Sequence, residues 1–402
     1  MLGTVFSLAW PTMLEQLTQT AVQYIDTAMV GALGTVATAS VGATTTVNWM
    51  IGSVVSAIGI GFLSFIAQAM GAGRDGQARR ASAQACILTL LLGLSLTALT
   101  QAVAGLVPVW MQVDPAIQSS AAVYFRILYL PMLFRAASII FATVLRAAGD
   151  TRTPMRVGLA VNVINIALNF FLIYPSRELH LLGTTLWMPG AGWGVEGAAW
   201  ASAASFVFGG VALSAALWKH PAVSPRGQRF VPDPAILRPC FRVALPNLCQ
   251  RFATSFGYVV FASMINALGE TSTAAHTIAN TVESAFYIPG WGMQTAAATL
   301  SGNAYGARDR QRLRRLGGTI LPLEIFLMVL SGSLLFLFAE PLVRLFSKDP
   351  SVIRLGLHDR PQHASLHFFH SSLPHRPLGS LADSPAPKAV TLLFMSYLDF
   401  NP

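Results

Sequence analysis

The sequence predicts an all-α polytopic membrane protein built from two copies of one six-helix unit. Apolar residues make up 53% of the chain and charged residues 11%, whereas a soluble domain carries about 25% charged residues. Long apolar segments follow one another, each able to cross about 30 Å of hydrocarbon as a helix. The chain also repeats itself at a fixed offset of 235 residues (246 minus 11).

The repeat consists of short motifs that return at this offset. The matching pairs are Pro11 and Pro246, ALGTVATA at 32–39 and ALGETSTA at 267–274, and Gly71-Ala72 and Gly306-Ala307. A duplication of this length in a very apolar chain is typical of secondary transporters. Because six spans return the chain to its starting side, an axis along the membrane normal should relate the two copies.

The apolar segments predict nine membrane-spanning helices, six in the first copy and three in the second. Their approximate bounds are 5–30, 43–69, 84–107, 119–145, 157–175, 197–217, 239–266, 275–304 and 318–340. The first span is unusually polar, and its apolar repeat partner at 239–266 supports its assignment. Proline inside a helix removes a backbone hydrogen bond and kinks it, so Pro11 and Pro246 predict equivalent hinges.

Arginine placement predicts the orientation. Connectors after even-numbered spans are rich in arginine, for example Arg74, Arg79 and Arg80, whereas those after odd-numbered spans hold few basic residues. Positively charged loops stay in the cytoplasm. The N-terminus is therefore expected in the cytoplasm, and the protein in the plasma membrane of a bacterium (the inner membrane).

The chain divides into four predicted regions. They are a six-helix lobe at 1–218, a cytoplasmic linker at 219–238, an incomplete second lobe at 239–356 and a tail at 357–402. The tail is rich in His, Pro and Ser, and the repeat ends near Gly356, so we expect the second lobe to lack about three helices. The abrupt change in composition favours a frame-shifted or truncated gene over a metal-binding histidine tract.

Several other functions are not expected. The net charge of +9 comes from arginines in loops beside spans, where they face anionic lipid headgroups, so no nucleic acid partner is predicted. Cys86, Cys240 and Cys249 lack the spacing of a metal site. Two G-x-G-x-x-G stretches begin at Gly71 and Gly192, but a dinucleotide site needs a preceding strand in a βαβ unit, and neither is expected to have a strand before it. We predict no enzyme activity, no metal and no cofactor beyond a coupling ion.

Polar side chains inside the spans are the candidate functional residues, because they are costly in a membrane. Glu15 and Asp26 lie eleven residues apart, within about 20° of three full helical turns, so they share one face. Gln19 and Gln23 fall near that face. The resulting polar stripe cannot face lipid, so we expect it to line a cavity or to contact other helices.

The fifth predicted span offers a partner surface. Asn162, Asn165 and Asn169 recur at i, i+3 and i+7, again on one helical face. Their amides could surround a carboxylate or coordinate a cation; the alternative is that they join neighbouring helices. In the second copy, Tyr258, Met264, Tyr287 and Met293 either line a site for flat cationic ligands or simply pack.

Six sequence blocks carry a resemblance to a known family. They are YIDTAMVGALG at 24–34, AQAMGAGR at 67–74, VLRAAGDTRTPM at 144–155, NIALNFFLIY at 165–174, GVEGAAWAS at 194–202 and GNAYGARD at 302–309. In this order they resemble the multidrug and toxic compound extrusion (MATE) transporters. The resemblance covers residues 5 to about 356.

The resemblance implies a twelve-helix bundle in two lobes that exchanges a cation for a bulky substrate. It implies that Asp26 binds the coupling ion, H⁺ or Na⁺, with Asn165, Asn169 and Ser202 beside it. Some relatives carry a second Asp where this chain has Asn169. The seventh span lacks the Glu of sodium-coupled relatives, which favours a cation site in the first lobe.

We therefore expect a secondary antiporter that exports organic, often cationic, compounds in exchange for H⁺ or Na⁺. Its expected partners are small organic substrates and membrane lipids, and it is expected to be a monomer. Arrival of the cation should release substrate as helix 1 bends near Pro11. Two alternatives remain open: a lipid-precursor flippase, which would need several buried basic residues, and an inactive remnant, because missing helices would leave the substrate site unsealed.

Overall fold

The computed structural model describes residues 2–111, 115–181, 184–266 and 286–346, together with His276 and Ala279. Its helices are α1 (Leu2–Gly31), α2 (Thr35–Gly71), α3 (Asp75–Val103), α4 (Val107–Trp110), α5 (Pro115–Tyr129), α6 (Met132–Ala147), α7 (Arg152–Leu172), α8 (Gly194–Lys219), α9 (Pro234–Asn266), α10 (Ile288–Gly306) and α11 (Arg310–Phe346). The predicted tail at 357–402 lies outside the described residues.

Many of these helices are long and apolar enough to cross a membrane. By length and composition five of the described helices qualify: α2, α3, α7, α8 and α11. A sixth span results if α5 and α6, which are bent by 50° at their junction, are counted together. The predicted first and seventh spans are also helical, as α1 and α9, but polar residues interrupt their apolar runs. The predicted span at 275–304 lies partly outside the described residues.

The bend between α5 and α6 follows from proline chemistry. The helix stops at Tyr129 and restarts at Met132, with Pro131 between them. Proline cannot donate the i→i−4 hydrogen bond, and its ring clashes with the preceding turn. The single span predicted at 119–145 is therefore two helices. By contrast, α1 runs continuously through Pro11 and α9 through Pro246.

Glycine and aspartate define the turns between helices. Gly73 and Gly149 follow α2 and α6 with φ of +67° and +88°, the left-handed conformation that ends many helices. Asp150 then accepts a hydrogen bond from the Thr153 N–H at 3.0 Å, at the start of α7. This side chain satisfies an N–H that the first helical turn leaves unpaired.

The predicted helical bundle is confirmed, and the structure adds one two-stranded antiparallel sheet to it. Strand β1 (Pro175–Leu181) pairs with β2 (Thr184–Ala191) between α7 and α8. The strand β2 precedes the second glycine motif, contrary to the expectation from sequence. The pair is an antiparallel hairpin and not a βαβ unit, so the context for a dinucleotide site is absent there. Gly197 instead packs closely on the Leu172 carbonyl.

The core of the first copy is a single apolar cluster built from α2, α3, α5, α6 and α8. Its largest fully buried side chains include Phe62, Phe125 and Ile140. A second cluster joins α1 to α10 and α11 through Val5, Ala9, Met293, Ala296, Leu300, Ala304, Leu316 and Ile320. The helix α9 packs on α2, and α10 packs on both α1 and α2.

The chain forms two compact units. One unit comprises residues 1–267 and 283–331 and contains nearly all the described helices. The other comprises 268–282 and 332–402, of which the structure describes the second half of α11, His276 and Ala279. The connection between α8 and α9 spans residues 220–233, inside the linker predicted at 219–238.

The two copies meet where α2 crosses α10, and this crossing repeats the 235-residue offset. A Cβ atom on Gly71 would overlap the backbone of Asn303, and one on Gly306 would overlap the backbone of Gln68. Because 68 and 303 differ by the same offset as 71 and 306, each copy makes the same contact on the other. Glycine at both positions lets the two helices touch backbone to backbone.

Candidate functional site

The candidate site forms where α1 meets α7 in the first copy. The Asn169 amide nitrogen donates a hydrogen bond to Asp26 Oδ1 at 2.6 Å. Asn165, one turn earlier on α7, lies next to Asn169 and 3.3 Å from the Ser202 hydroxyl on α8. Asn165 and Asn169 are buried, and Asp26 and Ser202 are partly buried. The structure thus brings together all four residues predicted to couple the cation.

The Asn165 amide faces the Asp26 carboxylate, and its hydrogen bonds are satisfied when its nitrogen points toward α1. With its nitrogen toward α1, it donates to Asp26 Oδ1 and Oδ2 at 3.0 and 3.1 Å and accepts from Ser202 at 3.3 Å. With its oxygen toward α1, two acceptors face each other. That contact is favourable only when a proton or a metal cation lies between the oxygens. The amide can therefore serve the carboxylate in both its charged and its neutralised state.

A further oxygen at this site has no partner. The Asn169 Oδ1 atom is buried and accepts no hydrogen bond from any described residue. A buried acceptor without a donor costs about 1–3 kcal/mol. Carboxylate, amide and hydroxyl oxygens are ligands suited to hard cations, and the same oxygens can hold a proton. The site thus has the donor set for a transported cation. Among the described residues, no group of three or more His, Cys, Asp or Glu side chains could hold a metal.

Glu15 lies apart from this cluster, in an ion pair with Arg146. One guanidinium nitrogen, Arg146 Nη2, lies 2.7 Å from both Glu15 carboxylate oxygens, and the two side chains are 17% and 19% exposed. Gly158 on α7 packs against the Glu15 side chain. The Arg146 carbonyl also accepts a hydrogen bond from Thr299 on α10, at 3.3 Å. Glu15 therefore links α1 to α6 close to the contact between the copies.

Comparison with known proteins identifies the family. The MatE family model matches residues 11–171 and 246–358, so the two matches begin 235 residues apart, at the offset of the internal repeat. The matches cover more than half of the chain.

The chain belongs to the MatE family.

Relatives of this MatE chain include a probable multidrug resistance protein NorM of Thermotoga maritima, 29% identical over 352 residues (88% of this chain, 74% of the relative). The multidrug resistance protein PmpM of Pseudomonas aeruginosa is 26% identical over 364 residues (88% and 73%). A solved structure described as the outward-facing conformation of a multidrug resistance MATE family transporter of the MOP superfamily has a TM-score of 0.80. It is 25% identical and covers 88% of this chain and 76% of its own.

A second solved structure of this fold is a MOP superfamily transporter from Pyrococcus furiosus, with a TM-score of 0.78 and 25% identity. It covers 89% of this MatE chain and 76% of its own. Its description states that reverse polarity of its binding pocket suggests a different function. The fold of the MatE chain is thus shared with a transporter for which a different function has been suggested.

The predicted substrate-cavity residues of the MatE chain fall into two groups. Gln19 and Gln23 on α1, Tyr258 and Met264 on α9, and Tyr287 before α10 are exposed in the bundle, and Asn162 is partly exposed. Met293 is different: it is only 1% exposed and packs in the apolar cluster between α1 and α10. The structure therefore gives Met293 a packing position, and the cavity role of the other residues stays a prediction.

Two cavities occur in the described part of the MatE chain, one of them at its arginine-rich end, which we define by the loops 72–74 and 307–309. One, of about 580 Å³, lies between these loops and contacts Arg74, Tyr305 and Arg308. The other, of about 690 Å³, is lined by Leu2, Gly3, Gly318, Thr319, Pro322 and Leu323. Neither contains a residue that the sequence assigned to a substrate cavity.

The sequence assignment of the site missed one polar cluster. Arg135 on α6 contacts Asn48 on α2, Tyr129 on α5 and Phe206 on α8. The available signal was a basic residue inside a predicted span, which is costly unless it is partnered. Its partners could not be found from sequence, because they come from three other helices.

Proposed function

We propose that this protein is a secondary antiporter that exports organic, often cationic, amphiphiles in exchange for H⁺ or Na⁺. The observation that carries the proposal is the Asp26 carboxylate, held by Asn169 at 2.6 Å and surrounded by amide and hydroxyl oxygens. The names of the relatives, multidrug resistance proteins, support the substrate class.

Coupling in this proposal depends on the charge of Asp26. Without a cation, the carboxylate is charged and both amide groups can donate to it. When a proton or sodium ion binds, the negative charge is neutralised and the Asn165 oxygen can turn toward Asp26. The cation then bridges α1 and α7, and this change in contacts favours the state that releases substrate. A ligand shifts such an equilibrium only by its differential affinity for the two states.

We further propose that the arginine-rich end faces the cytoplasm of a bacterial cell and that the protein acts as a monomer in the inner membrane. The positive-inside rule supports this orientation. The crossing of α2 and α10 through Gly71 and Gly306 then lies on the cytoplasmic side. Such a contact would close the path to the cytoplasm while leaving Asp26, near the other end of α1, open to the outside.

The first prediction tests this role of Asp26. Asp26→Asn keeps the shape but removes the negative charge, so export of a fluorescent dye by a pump-deficient host should fall to the level without protein. The variant should still reach the membrane. The control is Asp75→Asn, the same chemical change at an exposed position at the start of α3, which should export normally. Normal export by Asp26→Asn would remove Asp26 from the coupling mechanism.

The coupling ion and the alternative functions are decided by related measurements. Proteoliposomes given a sodium jump or a pH jump should respond to one of them, and the response should disappear in Asp26→Asn. A flippase would leave dye retention unchanged and would instead move a lipid-linked pyrophosphate. An inactive remnant would be stable in the membrane and do neither.

A further inference from the structure

Arg135 is a positively charged residue inside the first copy, and the proposed coupling at Asp26 does not involve it. It lies in the first turn of α6, directly after the break at Pro131, and is partly buried among α2, α5 and α8. A guanidinium at membrane depth is expensive unless a partner compensates it, and such residues usually mark a transport path.

The protein holds the guanidinium in a fixed position. Arg135 Nη1 donates to Asn48 Oδ1 at 2.6 Å, and the Tyr129 hydroxyl donates to the same oxygen at 2.9 Å. The guanidinium carbon lies 4.9 Å from the centre of the Phe206 ring and 5.7 Å from that of Tyr129. These are distances at which ring faces attract a cation. A positioned guanidinium is preorganised for a planar anion.

In the described part of the chain, Arg135 forms no salt bridge. Among the described residues, no carboxylate lies within 4 Å of it. The two carboxylates of α1 are engaged elsewhere, Glu15 with Arg146 and Asp26 with Asn169. A guanidinium has five N–H donors, and the neutral amide oxygen of Asn48 supplies no counter-charge.

The cluster lies in the same lobe as the cation site. Tyr129, which contacts Arg135, lies on α5, and α5 packs on α8, the helix that carries Ser202. A ligand at Arg135 would therefore lie in the lobe that holds Asp26.

We infer that Arg135, positioned by Asn48 and flanked by Tyr129 and Phe206, binds the carboxylate of an aromatic amphiphilic substrate. The substrates then include zwitterionic compounds as well as cations. Guanidinium and carboxylate match in shape and can form two parallel hydrogen bonds, and the neighbouring rings offer contact area to a flat aromatic body. The inference rests on the proposed export function, since it assigns part of the substrate.

The test compares two dyes that differ only in the anionic group. Rhodamine 110 carries a free carboxylate, and rhodamine 123 is its methyl ester. Binding to the full purified chain in detergent, followed by fluorescence polarisation, needs no ion gradient. Arg135→Gln should weaken rhodamine 110 binding about tenfold or more, as expected for loss of a charge-assisted pair, and should change rhodamine 123 binding less than twofold. Arg135→Lys should lie between the two.

Other outcomes overturn the inference. If Arg135→Gln weakens both dyes equally, Arg135 holds the lobe together and does not recognise the carboxylate. If it changes neither, or if the wild-type chain binds only the ester or neither dye, no carboxylate site exists there. Rhodamine 123 binding and thermal unfolding show whether the variant is folded. If the wild-type chain exports no dye in the Asp26 experiment while the dye selectivity measured here is intact, the export function alone is contradicted.

Discussion

The first helix of each copy occupies an equivalent place in the repeat, yet the two differ in chemistry. Helix α1 carries Glu15, Gln23 and Asp26, and the corresponding residues of α9, 235 positions later, are Gln250, Tyr258 and Phe261. Both helices contain a proline at the corresponding position, Pro11 in α1 and Pro246 in α9. The two carboxylates of α1 thus have no counterpart at the corresponding positions of α9, and two of the three compared positions of α9 hold aromatic residues.

The contact between the copies shows the opposite behaviour. Gly71 meets Asn303 and Gly306 meets Gln68, so both copies supply the same small residue at the same crossing. Close approach of two backbones allows little variation, whereas a residue that faces a cavity can change freely. The comparison separates a packing contact that both copies share from two carboxylates of α1 that α9 lacks at the same positions.

The largest effect is expected where the first copy has charge and the second does not. Glu15→Gln introduces the residue that the second copy has at this position, but leaves Arg146 without its carboxylate. Breaking a largely buried ion pair by removing one partner should cost roughly 2–4 kcal/mol. Thermal unfolding of the purified protein in detergent should show the loss.

The double variant Glu15→Gln with Arg146→Gln is the control for this ion pair. With both charges removed, part of the stability should return, because no unpaired guanidinium remains. Coupling to the cation should be unaffected in either protein that folds. If Glu15→Gln instead abolishes export without loss of stability, Glu15 belongs to the transport path and not to the packing of the helices.

A smaller but still large effect is expected at the shared crossing. Gly71→Ala and Gly306→Ala each place a methyl group on the opposing backbone, so α2 and α10 must separate, at a cost of about 1–3 kcal/mol. Because the contact is symmetric, the two substitutions should have similar effects. The measurement is again thermal unfolding.

Gly317→Ala in α11 is the matched control for the crossing. A methyl group there meets nothing within 4 Å, and alanine favours a helix over glycine by about 1 kcal/mol. That variant should be as stable as the wild type or more so. Equal stability of all three alanine variants would contradict the close contact between the copies.

Much of the fold and of the candidate cation site could be predicted from the sequence. The helical periodicity of Asn165 and Asn169 predicts that both amides lie on one face of a helix. In the structure this face lies next to Asp26. Such arguments succeed because they depend on the geometry of a single helix. The family resemblance supplied the pairing between α1 and α7, which periodicity alone does not contain.

Features that depend on several helices could not be predicted. The partner of Glu15 lies on α6, 131 residues away, and the contacts of Arg135 come from three helices. Met293 looked like a cavity residue because an apolar helix gives no sign of which face is buried. The hairpin at 175–191 was not predicted because it lies between two strong helical patterns.

The smallest effect is expected just after α10, where the second copy has Arg308 at the position that glycine occupies in the first copy. Arg308 has φ of +55°, and Gly73 holds the same place in the first copy with φ of +67°. A side chain in this conformation raises the free energy of the folded state by about 1–2 kcal/mol. Glycine instead lowers stability by about 0.4–1 kcal/mol, because it gives the unfolded chain more conformational freedom. Arg308→Gly should therefore stabilise the protein by about 0.5 kcal/mol, and the reverse change, Gly73→Arg, should destabilise it.

Two variants separate backbone strain from the charge of Arg308, which also lines the cavity between the loops. Arg308→Lys keeps both the charge and the strained backbone, so its unfolding temperature should not move. Arg308→Asn removes the charge but tolerates the left-handed conformation better, so it should gain part of the stability of Arg308→Gly. If Arg308→Gly and Arg308→Asn both lose stability while Arg308→Lys does not, the guanidinium charge holds the two loops together. The second copy would then have a charged contact at Arg308 where the first copy has an unstrained turn at Gly73.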